Sequence, residues 1–277
     1  MQLTTEKQLG SGFNGIVYSC QYNKKLAICK LEKYIDTEDR FERQRRFNLV
    51  AKKHSDRFLT LELSAIINDG NYDMFTFDMT LVPLEQKERV KLLQKSTQCS
   101  MLIYTPVLRH TLASVKHRLH DDLRKSIYLH LKKSIDIMHK ENWRSNDIHD
   151  GNIMCIDWQN PITYYIIDYG EISNTLDKPT AHDRLVASYA NDYISLCWCM
   201  LYDKVFNELT EMKIDIPLQT VVKKCRLLVP KGIEIDVTFR CYTKHYAKYL
   251  LIIGCTKKQI DQAKQDPLAI WLYDKLP

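Results

Sequence analysis

Three oxygen-bearing side chains stand in a pattern that suits phosphoryl transfer. Asp147 and Asn152 lie five residues apart in a polar stretch, and Asp168 follows the apolar residues 164–167 and precedes a Tyr-Gly pair. This reaction needs one carboxylate to orient the attacking hydroxyl, and an amide oxygen with a second carboxylate to bind Mg²⁺, or Mn²⁺ in its place, at the phosphates. Packing does not readily explain this spacing, so we predict that Asp147 is catalytic and that Asn152 and Asp168 are metal ligands.

A glycine-rich segment near the N-terminus is a candidate phosphate-binding loop. Glycine lets the backbone approach phosphate oxygens closely, and free N–H groups can then meet their charge. A dinucleotide-binding fold would need the segment to open a helix, whereas residues 16–20 after it favour a strand. A plain hairpin turn is the other interpretation. The segment has the form G-x-G-x-x-G-x-V, and its loop residues are Gly10, Ser11, Gly12, Phe13, Asn14 and Gly15.

Lys30 ends the apolar run 26–29 and is the next candidate. A lysine in such a place is often only solvated. Beside a glycine-rich hairpin it could instead hold the α- and β-phosphates of a nucleotide, if a carboxylate from the following helix fixes it. Glu38 and Glu42 are both available for that pairing, and we favour Glu42.

The motifs above resemble those of protein kinases, and this resemblance implies that apolar residues and a predicted strand end contact the adenine of ATP. Pro106 has no N–H, so the base would use other main-chain groups of this stretch. The apolar candidates could equally belong to the core of the lobe. The residues that we expect near the base are Ile16, Val17, Ile28, Tyr104, Thr105 and Val107.

The pattern of apolar residues predicts an α+β chain, with a sheet-rich part over residues 1–105 and a mostly helical part over 106–277. A β-hairpin is expected at residues 22–25. One helix, over 121–140, should be capped at Asp121 or Asp122. Further strands are predicted at 58–67, 74–79, 100–107 and 164–167, and further helices at 36–54, 84–95, 189–202 and 242–253.

Composition excludes several classes of protein. The chain has 277 residues, nine of them cysteines without CxxC spacing, which favours a reducing compartment over a disulfide scaffold. Apolar runs are far shorter than the roughly 20 residues that span a bilayer, and the N-terminus does not resemble a secretion signal. We therefore expect a cytoplasmic or nuclear protein. The excess of 40 basic over 34 acidic residues is spread along the chain, so direct nucleic-acid binding is not expected. The sequence leaves the oligomeric state open.

In order and spacing, these elements resemble the signature set of the eukaryotic-type protein kinase superfamily. The resemblance implies a bilobal fold, ATP with Mg²⁺ as cofactors, and protein substrates with Ser or Thr acceptors. The compact arrangement of these motifs along the chain is also similar to that of kinases of large DNA viruses. The matches, in chain order, are Gly10, Gly12 and Gly15 to the glycine-rich loop, Lys30 to the strand lysine, Asp147 and Asn152 to the catalytic loop, Asp168-Tyr169-Gly170 to D-F-G, and Asp192 to the buried aspartate of a central helix.

The chain departs from the family pattern in three places. Ser145 and Asn146 replace the His-Arg that precedes the catalytic aspartate, so no arginine is present there to receive a phosphorylated loop. His149 stands where protein kinases carry lysine, which makes D-x-H-x-x-N, as in aminoglycoside and choline kinases. His149 is either a further catalytic residue or a plain loop histidine. Only 21 residues separate Gly170 from Asp192, without Ala-Pro-Glu, so the peptide-docking segment is short.

Three functions fit these residues. The first is a protein serine/threonine kinase. The second is a kinase for small-molecule alcohols, although basic residues such as Lys223 and Lys224 in the second lobe favour a protein substrate. The third is a nucleotide-binding scaffold without turnover, which loss of Lys30, Asp147 or Asp168 would have indicated, yet all three are present.

Overall fold

The computed structural model describes residues 4–11, 15–33, 38–67, 99–174, 176–177, 189–201, 268 and 271. The chain divides into two units, Met1–Leu108 and Arg109–Pro277, close to the predicted division at residue 105. The predicted strand at 74–79 and the predicted helices at 84–95 and 242–253 lie outside the described residues. No helix in the described ranges is long and apolar enough to cross a membrane.

The described part of the first unit is a five-stranded antiparallel sheet with one helix. The strands lie in the order β1-β2-β3-β5-β4. The predicted hairpin at 22–25 is confirmed, because Asn23 and Lys24 adopt the left-handed conformation of a two-residue turn. The strands are β1 (Thr4–Ser11), β2 (Gly15–Tyr22), β3 (Lys25–Lys33), β4 (Thr60–Ile67) and β5 (Cys99–Thr105), and the helix is α1 (Glu38–Lys53).

The alternation of side chains along the strands decides which residues share a face of this sheet. Ile16, Leu31 and Met101 are cross-strand neighbours and belong to one buried cluster. Val17 and Lys30 are opposite each other and lie on the other face. Ile16 therefore belongs to the core of this unit, the alternative that the sequence left open for it, because consecutive residues of a strand point to opposite faces.

The second unit contains, among its described residues, two long helices and two small sheets. Helix α3 covers the predicted residues 121–140, and its apolar positions recur at helical spacing in the core. Strands β8 and β9 pair with each other, and β7 pairs with β10. The elements are β6 (His110–Thr111), α2 (Leu112–Val115), α3 (Asp121–Lys140), β7 (Trp143–Arg144), β8 (Ile153–Cys155), β9 (Tyr164–Ile166), β10 (Ser173–Asn174) and α4 (Tyr189–Met200).

The start of α3 differs from the prediction. Its N-cap is His120, whose Nδ1 accepts a hydrogen bond of 3.2 Å from the main-chain N–H of Leu123. Asp121 instead accepts a bond of 2.6 Å from the fully buried Arg124, and Asp122 pairs with Lys125. Both aspartates still favour this end of the helix, because negative charge is stabilised at a helix N-terminus.

Candidate active site

The loop between β7 and β8 brings Asp147 and Asn152 into direct contact. The Nδ2 of Asn152 donates to the main-chain oxygen of Asp147 at 3.1 Å and to its Oδ2 at 3.0 Å. A main-chain bond of 2.9 Å from the N–H of Asn152 to the oxygen of His149 closes the turn between them. The amide nitrogen is thus committed to Asp147, which leaves the Oδ1 of Asn152 as the atom able to bind a cation.

Asp168 reaches the same loop through the end of β9. The N–H of Ile167 donates to the main-chain oxygen of Asn152 at 2.8 Å, which holds the residue before Asp168 against the loop. Asp168 is exposed and left-handed, with φ 57°, and its Oδ1 accepts a 3.4 Å bond from the N–H of Gly170. The structure therefore brings together the three residues that the sequence singled out for phosphoryl transfer.

The carboxylates of this loop disturb one another electrostatically. Burial raises the pKa of Asp147, and the nearby carboxylates of Asp168 and Glu171 raise it further. His149 and the hydrogen bond from Asn152 act in the opposite direction and lower this pKa. The site thus concentrates negative charge, which a bound cation would neutralise.

The ligands for a magnesium ion would come partly from outside the protein. In the described ranges, no three His, Cys, Asp or Glu side chains are arranged to hold a metal ion. Mg²⁺ is commonly bound through one or two carboxylates, with waters and substrate phosphates as its other ligands. The oxygens of Asn152 and Asp168 fit that mode of binding.

Asp192 anchors the backbone of the loop from the first turn of α4. Its Oδ2 accepts from the N–H of Ser145 at 2.9 Å and lies 3.0 Å from the Nε2 of His139, and its Oδ1 accepts from the N–H of Asn146 at 3.0 Å. Asp192 is buried, so these bonds are what compensate its charge. Asp192 therefore occupies the structural position that the family resemblance implied for it.

Asn146 joins the loop to the segment that follows Asp168. Its Nδ2 donates to the main-chain oxygen of Glu171 and to the Oγ of Ser173, at 2.8 Å each. Its φ of 64° is left-handed, a conformation that asparagine tolerates better than most residues. Asn146, at the position where protein kinases carry arginine, thus makes a neutral hydrogen-bonded link in this structure.

His149 is exposed, and its ring lies over the next turn of the loop. Its Nδ1 accepts a 3.1 Å hydrogen bond from the N–H of Gly151, so the neutral ring carries its proton on Nε2. A Cβ on Gly151 would come within 2.9 Å of the Cε1 of His149, so the glycine makes room for the imidazole. The geometry leaves Nε2 as the ring atom that can donate to a ligand.

The glycine-rich segment of the first unit connects two strands. Gly10 and Ser11 belong to β1, and Gly15 begins β2. Gly12, Phe13 and Asn14 lie outside the described residues. Because a strand follows, and not a helix, the structure excludes the arrangement of a dinucleotide-binding loop.

Lys30 has a partner that the sequence analysis missed. Its Nζ lies 2.8 Å from the Oε1 of Glu32 on the same strand. The predicted pairing of Lys30 with Glu42 is wrong, because Glu42 is about half exposed on α1 and its carboxylate accepts from Arg45 at 2.9 and 3.2 Å. Glu38 begins α1. The signal for Glu32 was present in the sequence, since residues i and i+2 of a strand share a face.

Among the residues predicted near the base, Val17 and Ile28 lie on the Lys30 face of the sheet, and Tyr104 and Thr105 end β5. Ile28 pairs with Tyr104 across β3 and β5, and Val17 pairs with Lys30. The hydroxyl of Tyr104 donates to the Oε1 of Gln44 on α1 at 2.6 Å.

Thr105 follows Tyr104 and precedes a cis peptide bond to Pro106. Its hydroxyl donates to the Oε1 of Glu62 at 2.7 Å, so this side chain is engaged within the sheet. Val107 is partly buried. A role for Tyr104, Thr105 and Val107 in binding adenine stays a prediction.

The similarity of this chain to known proteins lies in its fold. No protein-family model matches the chain, and no curated protein matches its sequence. The kinase domain of PF14_0431 is similar in structure, with a TM-score of 0.56 and 13% identity over 99% of this chain and 89% of that one. Vaccinia related kinase 3 is similar with a TM-score of 0.52 and 15% identity over 99% of this chain and 85% of that one. The chain therefore has an α+β, protein-kinase-like fold, as its motifs predicted.

Proposed function

We propose that this protein is an ATP- and Mg²⁺-dependent phosphotransferase that phosphorylates Ser or Thr hydroxyls of proteins. The observation that carries the proposal is the cluster of Asp147, Asn152 and Asp168, joined by hydrogen bonds and by electrostatic coupling within a protein-kinase-like fold. These residue types supply a proton acceptor and oxygen ligands for a cation. Lys30, on the strand after the glycine-rich segment, supplies a cation for the phosphates.

Each residue has a distinct part in the proposed reaction. Asp147 orients the acceptor hydroxyl and takes its proton late, as the oxygen bonds to the γ-phosphorus and the bond to the leaving ADP oxygen breaks. Asn152 and Asp168 would hold the magnesium ion, which neutralises charge on the phosphates. Lys30 binds the α- and β-phosphates. Alignment of the reactants and compensation of charge supply most of the rate acceleration.

A small-molecule alcohol is the second candidate acceptor. The D-x-H-x-x-N pattern favours it, and His149 has an Nε2–H free to donate because Nδ1 is held by Gly151. The basic residues of the second lobe, such as Lys223 and Lys224, favour a protein acceptor. We rank the protein acceptor first for that reason.

Transfer of radiolabelled γ-phosphate tests the proposal. Asp147→Asn and Asp168→Asn should each lower incorporation by about 100-fold or more. Asp56→Asn is the matched control, because that carboxylate is exposed in the first unit and should leave the rate unchanged. Casein and histone, compared with a panel of amino alcohols, distinguish the two acceptor classes. Equal incorporation by all variants contradicts the proposal, and a thermal shift with ATP and Mg²⁺ but no transfer indicates a binding scaffold.

A further inference from the structure

Glu32 is a buried carboxylate on the strand that carries Lys30. The side chain of Glu32 is 1% exposed and that of Lys30 is 15% exposed. Burying a carboxylate is costly unless a partner compensates its charge. The Oε1 of Glu32 lies 2.8 Å from the ammonium of Lys30, and its Oε2 has no hydrogen-bond partner among the described residues. Lys30 is thus the group that compensates the charge of Glu32.

The sheet fixes the geometry of this pair. Lys30 and Glu32 are two residues apart on β3, so both side chains project from the same face. Strand β3 is flanked by β2 and β5, and Lys30 is opposite Val17 on one side and Leu102 on the other. A strand paired along both edges has little freedom to shift. The positions of the ammonium and the carboxylate are therefore fixed by a strand that is paired along both of its edges.

The last glycine of the glycine-rich segment makes room for Glu32. Gly15 is directly opposite Glu32 in the register of β2 and β3. A Cβ at position 15 would lie 2.9 Å from the Cγ of Glu32 and 2.2 Å from the main-chain oxygen of Leu31. Any other residue would force the strands apart or displace the Glu32 side chain. The placement of Glu32 thus depends on the same motif that suggested a phosphate-binding loop.

The face of helix α1 that contacts the sheet carries Gln44 and Asn48, and not Glu42. Gln44 accepts from the hydroxyl of Tyr104, and Asn48 makes two bonds of 2.8 Å with the main chain of Leu61. These buried or partly buried bonds fix the rotation of the helix about its axis. In that rotation Glu42 pairs with Arg45, one turn away on the outer surface.

We propose that Glu32 is the positioning residue for Lys30, the role that the sequence assigned to Glu42. This inference rests on the proposed function, in which Lys30 binds the phosphates of ATP. Because both members of the pair belong to one strand, the contact between Lys30 and Glu32 forms without a movement of α1. The lysine is held ready for the nucleotide by the sheet itself.

Steady-state kinetics with three variants test this assignment. Glu32→Gln keeps the shape and removes the charge, and we expect kcat/KM for ATP to fall by about 10- to 100-fold. Glu32→Asp keeps the charge on a shorter side chain and should recover part of the loss. Glu42→Gln should behave as wild type. The assignment is overturned if Glu42→Gln causes the loss while Glu32→Gln does not, or if Glu32→Asp is as impaired as Glu32→Gln.

Acetylation of lysines, mapped by mass spectrometry, gives a readout that needs no ATP turnover. An ammonium held by a carboxylate is a poor nucleophile, so Lys30 should react slowly in wild type and in Glu42→Gln, and several-fold faster in Glu32→Gln. If wild type shows no transfer, the proposed function fails, while the labelling still decides whether Glu32 holds Lys30. If Glu32→Gln does not fold, the labelling of Glu32→Asp decides the question. In that variant Lys30 should be acetylated more slowly than the exposed Lys24 and Lys25. Equal rates of acetylation at the three lysines reject the assignment.

Discussion

The charged form of Asp147 lowers the stability of the folded loop in which it lies. It is partly buried, two carboxylates lie close by, and both conditions disfavour its charged form. The hydrogen bond from Asn152 and the nearby His149 offset only part of this, because the pKa of Asp147 remains raised. A carboxylate whose charged form is disfavoured in this way is typical of functional sites, where residues are selected for activity at some cost in stability.

Replacing Asp147 by asparagine should therefore stabilise the protein. The pKa of Asp147 is raised in the folded state above its ordinary value of 3.8, so the folded state binds more protons, and wild-type stability falls as pH rises through this window. We expect Asp147→Asn to raise Tm by roughly a few degrees at neutral pH, with the difference shrinking below the ordinary pKa. Thermal unfolding with EDTA and without nucleotide measures it, with Asp56→Asn as control. A Tm at or below that of wild type at neutral pH contradicts it.

The residues of the candidate site could be singled out from sequence, whereas the contacts that hold them in place could not. Asp147, Asn152 and Asp168 were chosen by their types and spacing, because phosphoryl transfer restricts which side chains can take part. Glu32 was missed because the expected partner of Lys30 was sought on a helix, whereas strand alternation offered a nearer one. The contact between Asn146 and Ser173 joins residues 27 positions apart, and local patterns do not reveal such contacts.

At the scale of elements, helix α1 is attached to the sheet by polar as well as apolar contacts. Phe47 packs edge-on against Phe58, with ring centroids 5.3 Å apart. The pairing of β4 with β5 is irregular between Leu61 and Leu63, and Asn48 binds both main-chain polar groups of Leu61 at this irregularity. Asn48 thus satisfies backbone groups that would otherwise be left unpaired.

Asn48→Ala should lower the free energy of unfolding by about 2 kcal/mol, because the N–H and C=O of Leu61 lose their partners at a buried position. Leu49→Ala is the matched control: its side chain is 68% exposed, and the change should stay within about 0.5 kcal/mol. Urea unfolding of both variants measures the difference. Equal midpoints for Asn48→Ala and Leu49→Ala would show that α1 is held by apolar packing instead.

The elements themselves were predicted well where periodicity is strong. The spacing of apolar residues predicted the bounds of α3 correctly, because the face that carries Ile127, Leu131 and Ile135 must be buried. The predicted N-cap was wrong because two aspartates and a histidine compete for that position. Asp121 forms an ion pair with the buried Arg124, and His120 caps the helix instead. The competition is decided by tertiary contacts that the local sequence does not contain.

At the scale of the whole molecule, buried thiols are spread through both units. Six of the nine cysteines lie in the described ranges, and these six are buried thiols that form no disulfide bond. Burial raises the pKa of Cys99, in the first unit, and of Cys197, in the second, to about 12. The thiolate is the reactive species, so these residues should be chemically inert while the protein is folded.

Alkylation with iodoacetamide at pH 8 checks this in both units at once. Only about one thiol in ten thousand is ionised four pH units below its pKa. Cys99 and Cys197 should therefore stay unlabelled over hours in native buffer and react within minutes in urea, as followed by mass spectrometry. Rapid native labelling at either cysteine would mean that its unit opens readily, and the other cysteine serves as the internal comparison.

The link made by Asn146 has a consequence for how the segment after Asp168 takes its place. An amide that holds Glu171 and Ser173 needs no covalent modification to do so, because both contacts are made between residues of the chain itself. The order of this segment is therefore a product of folding.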